Sequence, residues 1–257
     1  MMGVLRAEIL KAVTLAGVRR TLIAGAVIPA LLTWFNARAA LRGWQAGADG
    51  WTTQDLAQIG VTESLLAAAA LAAVGVMLVS SEYRELSVDQ GGGYERVTTA
   101  LAIPRRGPGL AAKMLVALLL MVPVAVTTNL LSTAVALWIL EPAGIGWDRE
   151  RIAGMLAGCW YMIATGLLGA SVTMVLRSGL VPMVYLVVNN TLFSPGFLLT
   201  RLTAAAWYLP DTSLIGLVVA RMDDPHQPTK VVSGLVAAGW LAVVMVVAWV
   251  LERRRPV

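Results

Sequence analysis

Residues able to do covalent or acid–base chemistry are few and scattered in this chain. The single histidine, His226, stands beside Asp223 and Asp224 with no nucleophile spaced to complete a triad. The single cysteine, Cys159, lies in a hydrophobic run, so no internal disulfide forms, and one His with one Cys supplies no zinc or iron site. Gly91-Gly92-Gly93 is followed by Tyr94, where a phosphate-binding loop needs Lys and then Ser or Thr. Residues 107–113 (G-P-G-L-A-A-K) miss the same spacing. Glu63 is the one carboxylate that borders a hydrophobic span, too little for a proton relay. The pattern predicts neither a catalytic residue nor a bound metal, nor a nucleotide site on this chain.

The elements around these residues are mostly hydrocarbon. The chain is 58% hydrophobic and 14% charged, against about 25% charged in a usual soluble domain. Long uncharged runs make it an all-α membrane protein of one domain, with spans expected at 21–37, 64–81, 114–140, 152–176, 180–199 and 231–251. Residues 152–200 carry one charge, Arg177. As a single helix they would reach about 73 Å, over twice the hydrocarbon thickness. They must fold back, and Arg177-Ser178-Gly179 is the hairpin. Pro123 is expected to kink the third span, and Gly154 and Gly158 form a small-residue pair on the fourth, suited to helix packing or a chance of an alanine-rich sequence. Residues 202–220 are apolar again, but Pro210-Asp211 sits at their centre. They read as a re-entrant or surface helical hairpin, because irregular backbone at depth is tolerated under a cover of protein. For Met1 to Arg20 two readings fit: an amphipathic helix on the membrane surface with Leu5, Ile9, Val13 and Ala16 on one face, or a basic start that only orients the first span.

The basic balance, with a pI near 9.8, is explained by topology rather than by nucleic acid, since the bases gather at span ends. With both termini inside, thirteen of the twenty Lys and Arg fall on inner segments. Among the polar residues within spans, Asn129, Tyr161, Tyr185, Asn189 and Asn190 could line a path for an amphipathic cargo, or could equally join helices by hydrogen bonds.

One polar stretch, residues 80–113, stands out between the second and third spans. It mixes Glu82, Glu85, Asp89 and Glu95 with Arg84, Arg96, Arg105, Arg106 and Lys113. Each such charge would cost about 2.5–3.5 kcal/mol at the bilayer centre, so the stretch belongs in water. Within it, Y-E-R-V-T-T-A-L from Tyr94 can form a short helix, stopped at Pro104.

The residues S-S-E-Y-R after the second span and T-T-A-L-A-I-P-R-R-G-P-G-L-A-A-K before the third resemble the membrane subunits of ATP-binding-cassette type-2 exporters, especially actinobacterial permeases. The resemblance also takes in six spans, an amphipathic start and a helical hairpin before the last span. The chain departs from it at Glu85-Leu86, where many relatives carry Gly-Thr, and in its three-glycine run. The resemblance implies a coupling segment made by Glu82, Tyr83, Arg84, Tyr94, Glu95, Arg96, Pro104, Arg105, Arg106 and Lys113. It implies a permease that is not itself an enzyme. Its partners would be a cytoplasmic ATPase in two copies, binding ATP and Mg, and a second permease copy, identical or different. The cargo would be a drug, an antimicrobial peptide or a lipid, exported across a bacterial cell membrane. A membrane anchor or sensor that merely recruits a cytoplasmic partner is the alternative.

Overall fold

A computed structural model describes residues 2–47, 52–83, 106–191, 194–218 and 225–254. The described chain is helical. In order it forms α1 (Met2–Thr14), α2 (Ala16–Gln45), α3 (Thr53–Gln58), α4 (Val61–Ser64), α5 (Ala67–Ser80) and a 3-10 turn at Ser81–Tyr83. Beyond residue 105 come α6 (Arg106–Leu140), α7 (Arg149–Leu176), α8 (Leu180–Thr191), α9 (Pro195–Leu199), α10 (Pro210–Val218) and α11 (Lys230–Arg254). Among the described residues, five helical stretches are long and apolar enough to cross a membrane: Ala16–Gln45, Thr53–Tyr83, Gly109–Ala143, Arg149–Leu176 and Lys230–Arg254.

The centre of the bundle is the crossing of α5 on α7, and small residues explain it. A Cβ on Gly75 would overlap the Gly166 carbonyl, and one on Gly169 would stand 2.8 Å from the Ala72 carbonyl. Backbones can approach this closely only where side chains are absent. The tightest contact is therefore about two turns beyond Gly158; Cβ atoms added at Gly154 and Gly158 would meet only side chains, Val61 at 3.3 Å and Leu65 and Asn129 at 3.2 and 3.5 Å. Leu71, Val74, Met121 and Met162 fill the surrounding core.

The helix α2 lies along α6 and α5. Pro29 sits inside α2 and has no N–H to give the Gly25 carbonyl, four residues back. Thr128 of α6 donates its hydroxyl to that carbonyl instead, at 3.3 Å. Pro123 likewise lies inside α6, which runs on past it to Leu140.

The stretch 180–199, expected as one crossing, is two shorter helices. At Ser194 the backbone is extended, and its hydroxyl caps α9 by accepting from the Phe197 N–H at 3.1 Å. Pro195 at the first helical position then fits, because that N–H would be unpaired anyway. The hairpin before it is where the sequence places it: α7 stops at Leu176, Arg177 takes the left-handed conformation, and α8 begins at Leu180. Gly179 faces Ser80, whose Cβ would lie 2.6 Å from any Cβ added there.

The segment before α11 is a 3-10 turn (Ala204–Tyr208) followed by α10. Pro210 opens α10 rather than breaking it. The indole N–H of Trp240 donates to the Tyr208 carbonyl at 2.8 Å. Trp240 lies about 15 Å along α11 from its Lys230 end, at 1.5 Å per residue. At the other end of α10, Gly216 packs beside Ser233, close to the start of α11. The helix α10 thus runs alongside α11 from mid-length to the Lys230 end.

The amphipathic start is a separate helix. Ile9, Leu10 and Val13 point away from the bundle, while Ala12 is buried and Glu8 and Lys11 face the protein side. Glu8 and Lys11 lie against the body of the protein, and Ile9, Leu10 and Val13 lie outside.

Candidate functional site

Two groups of side chains stand out, one at the ends of the polar stretch and one along α7. The first is an ion cluster. Glu82 lies in the 3-10 turn that closes α5, and Lys113 lies in the second turn of α6. The two form a salt bridge. Lys11 of α1 reaches the same Glu82 oxygen at 3.4 Å, and Lys113 also meets Glu8 of α1 at 3.6 Å. Glu82 is only 6% exposed. Each charge has an opposite neighbour, as buried charges require. Burial pushes the Glu8 carboxyl above its ordinary range; Lys113 and Lys11 oppose that rise and Glu82 adds to it. Tyr83 packs beside this cluster with Val79 and Met174.

Of the residues that the exporter resemblance implies, the structure brings Glu82 and Lys113 together across residues 84–105. Arg106 opens α6. Arg84, Tyr94, Glu95, Arg96, Pro104 and Arg105 lie outside the described residues. Glu8 and Lys11 belong to the same cluster and escaped the sequence reading, which put Leu5, Ile9, Val13 and Ala16 in the foreground of α1. Their spacing of three on one helix face was the available signal.

The second group lines a cleft of about 190 Å³ between α7, α8, α10 and α11. Tyr161 and Asn189 both border it, as does Tyr185. Asn190 follows Asn189 in α8. The residue the sequence reading passed over is Asp211. Glu63 is therefore not the sole carboxylate near an apolar core: Asp211 borders the same cleft as Tyr161, which stands near the middle of α7. Its Oδ2 accepts from the Ser194 hydroxyl and the Gly196 N–H, each at 2.8 Å. An acid inside a 19-residue apolar run, straight after proline, was the signal for it.

Asn129 takes a different place from the other path candidates. It is fully buried between α4, α6 and α7. It accepts from the Ser64 hydroxyl at 2.8 Å and donates to the Ala125 carbonyl at 3.2 Å and to the Cys159 sulfur at 3.3 Å. Glu63 caps the short helix α4 by accepting from the Gly60 N–H at 2.7 Å, and takes a second hydrogen bond from Asn36 at 3.0 Å. Arg151, at the start of α7, is buried and donates to the Ile59 carbonyl at 3.0 Å.

Comparison with known proteins finds no matching family model, no matching curated protein and no matching solved structure.

Proposed function

We propose that this chain is the membrane permease subunit of an ATP-driven exporter, built like the ATP-binding-cassette type-2 permeases that its polar stretch resembles. The observation that carries the reading is the Glu82–Lys113 salt bridge. These two positions begin and end the coupling segment in the resemblance. Their pairing joins the turn that closes α5 to the second turn of α6. A push on that segment by a soluble motor would be delivered to α5 and α6 together, and through Glu8 and Lys11 to α1.

In this reading the chain sits in a bacterial cell membrane with both termini in the cytoplasm. The five long helices cross it, α8 and α9 together make a sixth crossing, and α10 belongs to a re-entrant hairpin on the outer side. The apolar outer face of α1 lies on the inner leaflet. A cytoplasmic ATPase, in two copies with ATP and Mg, supplies the energy, and a second permease copy completes the path. The cargo is amphipathic.

The test is co-purification of a cytoplasmic ATPase with this chain, followed by reconstitution in vesicles with and without that ATPase. Export of a cargo that needs both the ATPase and ATP supports the reading; the double substitution Arg105→Glu, Arg106→Glu is expected to leave hydrolysis running while export stops. Binding to no ATPase, or export unchanged by the double substitution, would count against it.

A further inference from the structure

The cleft along α7 has an unusual charge balance. Its walls are mainly aliphatic, from residues such as Leu168, Val172 and Leu214. Among the described residues that line it, Asp211 is the one that is charged. Among the described residues no Lys, Arg or His pairs with that carboxylate, whose two hydrogen bonds both come from neutral donors to a single oxygen. A carboxylate beside the middle of a membrane-length helix is costly to keep charged without a cation, and such residues mark ligand or ion sites. Tyr161 and Tyr185 add two aromatic rings within electrostatic range of Asp211. Rings of this kind attract cations through their faces. The Asn189 side-chain oxygen, also bordering the cleft, has no hydrogen-bond partner among the described residues. On the outer rim Val181 and Tyr185 are 60% and 50% exposed, so the cleft opens sideways between helices, where lipid tails would lie.

We infer that this cleft binds an amphipathic organic cation, with Asp211 as its counter-ion. The apolar body lies along Leu168, Val172 and Val181. The positive centre faces the Asp211 carboxylate between the two tyrosine rings. A small metal cation fits the surroundings poorly, because most of the wall offers it no oxygen. An anion would meet Asp211 with no base to offset it. The inference deepens the exporter reading by naming a cargo class, and rests on that reading only for the cation being moved rather than merely held.

Binding is measured on the full chain alone, in nanodiscs of neutral lipid, with protein-free nanodiscs subtracted. The probes are tetraphenylphosphonium, its near-isosteric anion tetraphenylborate, and the uncharged triphenylphosphine oxide. Saturable phosphonium binding at least tenfold tighter than borate binding is expected. Asp211→Asn, which can still accept from Ser194 and Gly196, should weaken phosphonium binding at least tenfold and change phosphine oxide binding less than twofold. Val181→Trp leaves the carboxylate in place and should weaken both by filling the mouth. No saturable phosphonium binding, equal binding of borate, or phosphonium affinity unchanged in either variant would overturn the inference. Neither ATP nor an ATPase is present, so this result and the export result can fail separately.

Discussion

Thr128 gives its hydroxyl hydrogen to the Gly25 carbonyl at 3.3 Å, filling the gap that Pro29 leaves in the hydrogen-bond ladder of α2. Both Thr128 and Gly25 are buried. Thr128→Val keeps the shape and strands the carbonyl, so it should cost about 1–3 kcal/mol. Pro29→Ala restores the missing N–H. In that background Thr128→Val should cost under about 1 kcal/mol. A double-mutant cycle on unfolding in mixed micelles reads the coupling; additive costs would show that the two helices are not joined there.

The ion cluster predicts a second non-additive pair. Lys113→Met leaves the two acids Glu8 and Glu82 with Lys11 as the one base beside them. Breaking a buried pair from one side costs about 3–5 kcal/mol. Adding Glu82→Gln to Lys113→Met should recover a large part of that loss, because the stranded charge is gone. The same micelle unfolding measures both.

The Glu8 carboxyl makes the docking of α1 depend on pH. Its value in the folded protein is raised above the ordinary 4.5, chiefly by burial. In the window above 4.5 the docked state therefore holds more proton than the undocked one, and docking weakens as pH rises through the raised value. Below 4.5 that contribution is fully present. Spin labels at Val13 and Leu118, both exposed positions, should show a distance distribution that broadens between pH 4 and pH 8. In Glu8→Gln it should stay constant; a wild-type distribution that is flat with pH would refute the assignment.

Glycine substitutions separate packing from backbone freedom. Gly75→Ala pushes a methyl into the Gly166 carbonyl, whereas Gly239→Ala meets nothing within 4 Å. The first should lower stability by at least the 1–3 kcal/mol typical of overpacking, an order-of-magnitude range of about that size. The second, inside α11, should be neutral or gain up to about 1 kcal/mol from helix propensity. Melting temperatures of the two purified variants, compared with wild type, decide it.

The long helices were legible because uncharged length is a direct record of bilayer crossing: the runs that end at Glu82 and Arg177 stop at real helix boundaries, whereas α2 and α6 begin before the charges at Arg20 and Lys113 that open their uncharged runs. Asn189, Asn190 and Pro195-Gly196 already argue against an unbroken helix here, but not for where it breaks. A serine cap followed by Pro-Gly reads the same in a loop or at a helix start, and only the Asp211 contact shows why the chain turns there. Asp211 itself was visible as a residue and not as a site, since sequence spacing carries no information on which helix α10 leans against. The Glu82–Lys113 pair shows the opposite case: both residues stood out from the type of stretch they bound, and their meeting follows once α5 and α6 pack side by side. Glu8 and Lys11 joined them because α1 turns its charged edge inward, against the habit of helices in water.

At the Gly75–Gly166 crossing main chain rests on main chain, with no flexible side chains between to act as bearings. Such a joint neither slides nor bends gradually; α5 and α7 travel as one strut. Relative motion of helices is expected instead around the cleft that α7, α8, α10 and α11 line, where open space of about 190 Å³ lies between them.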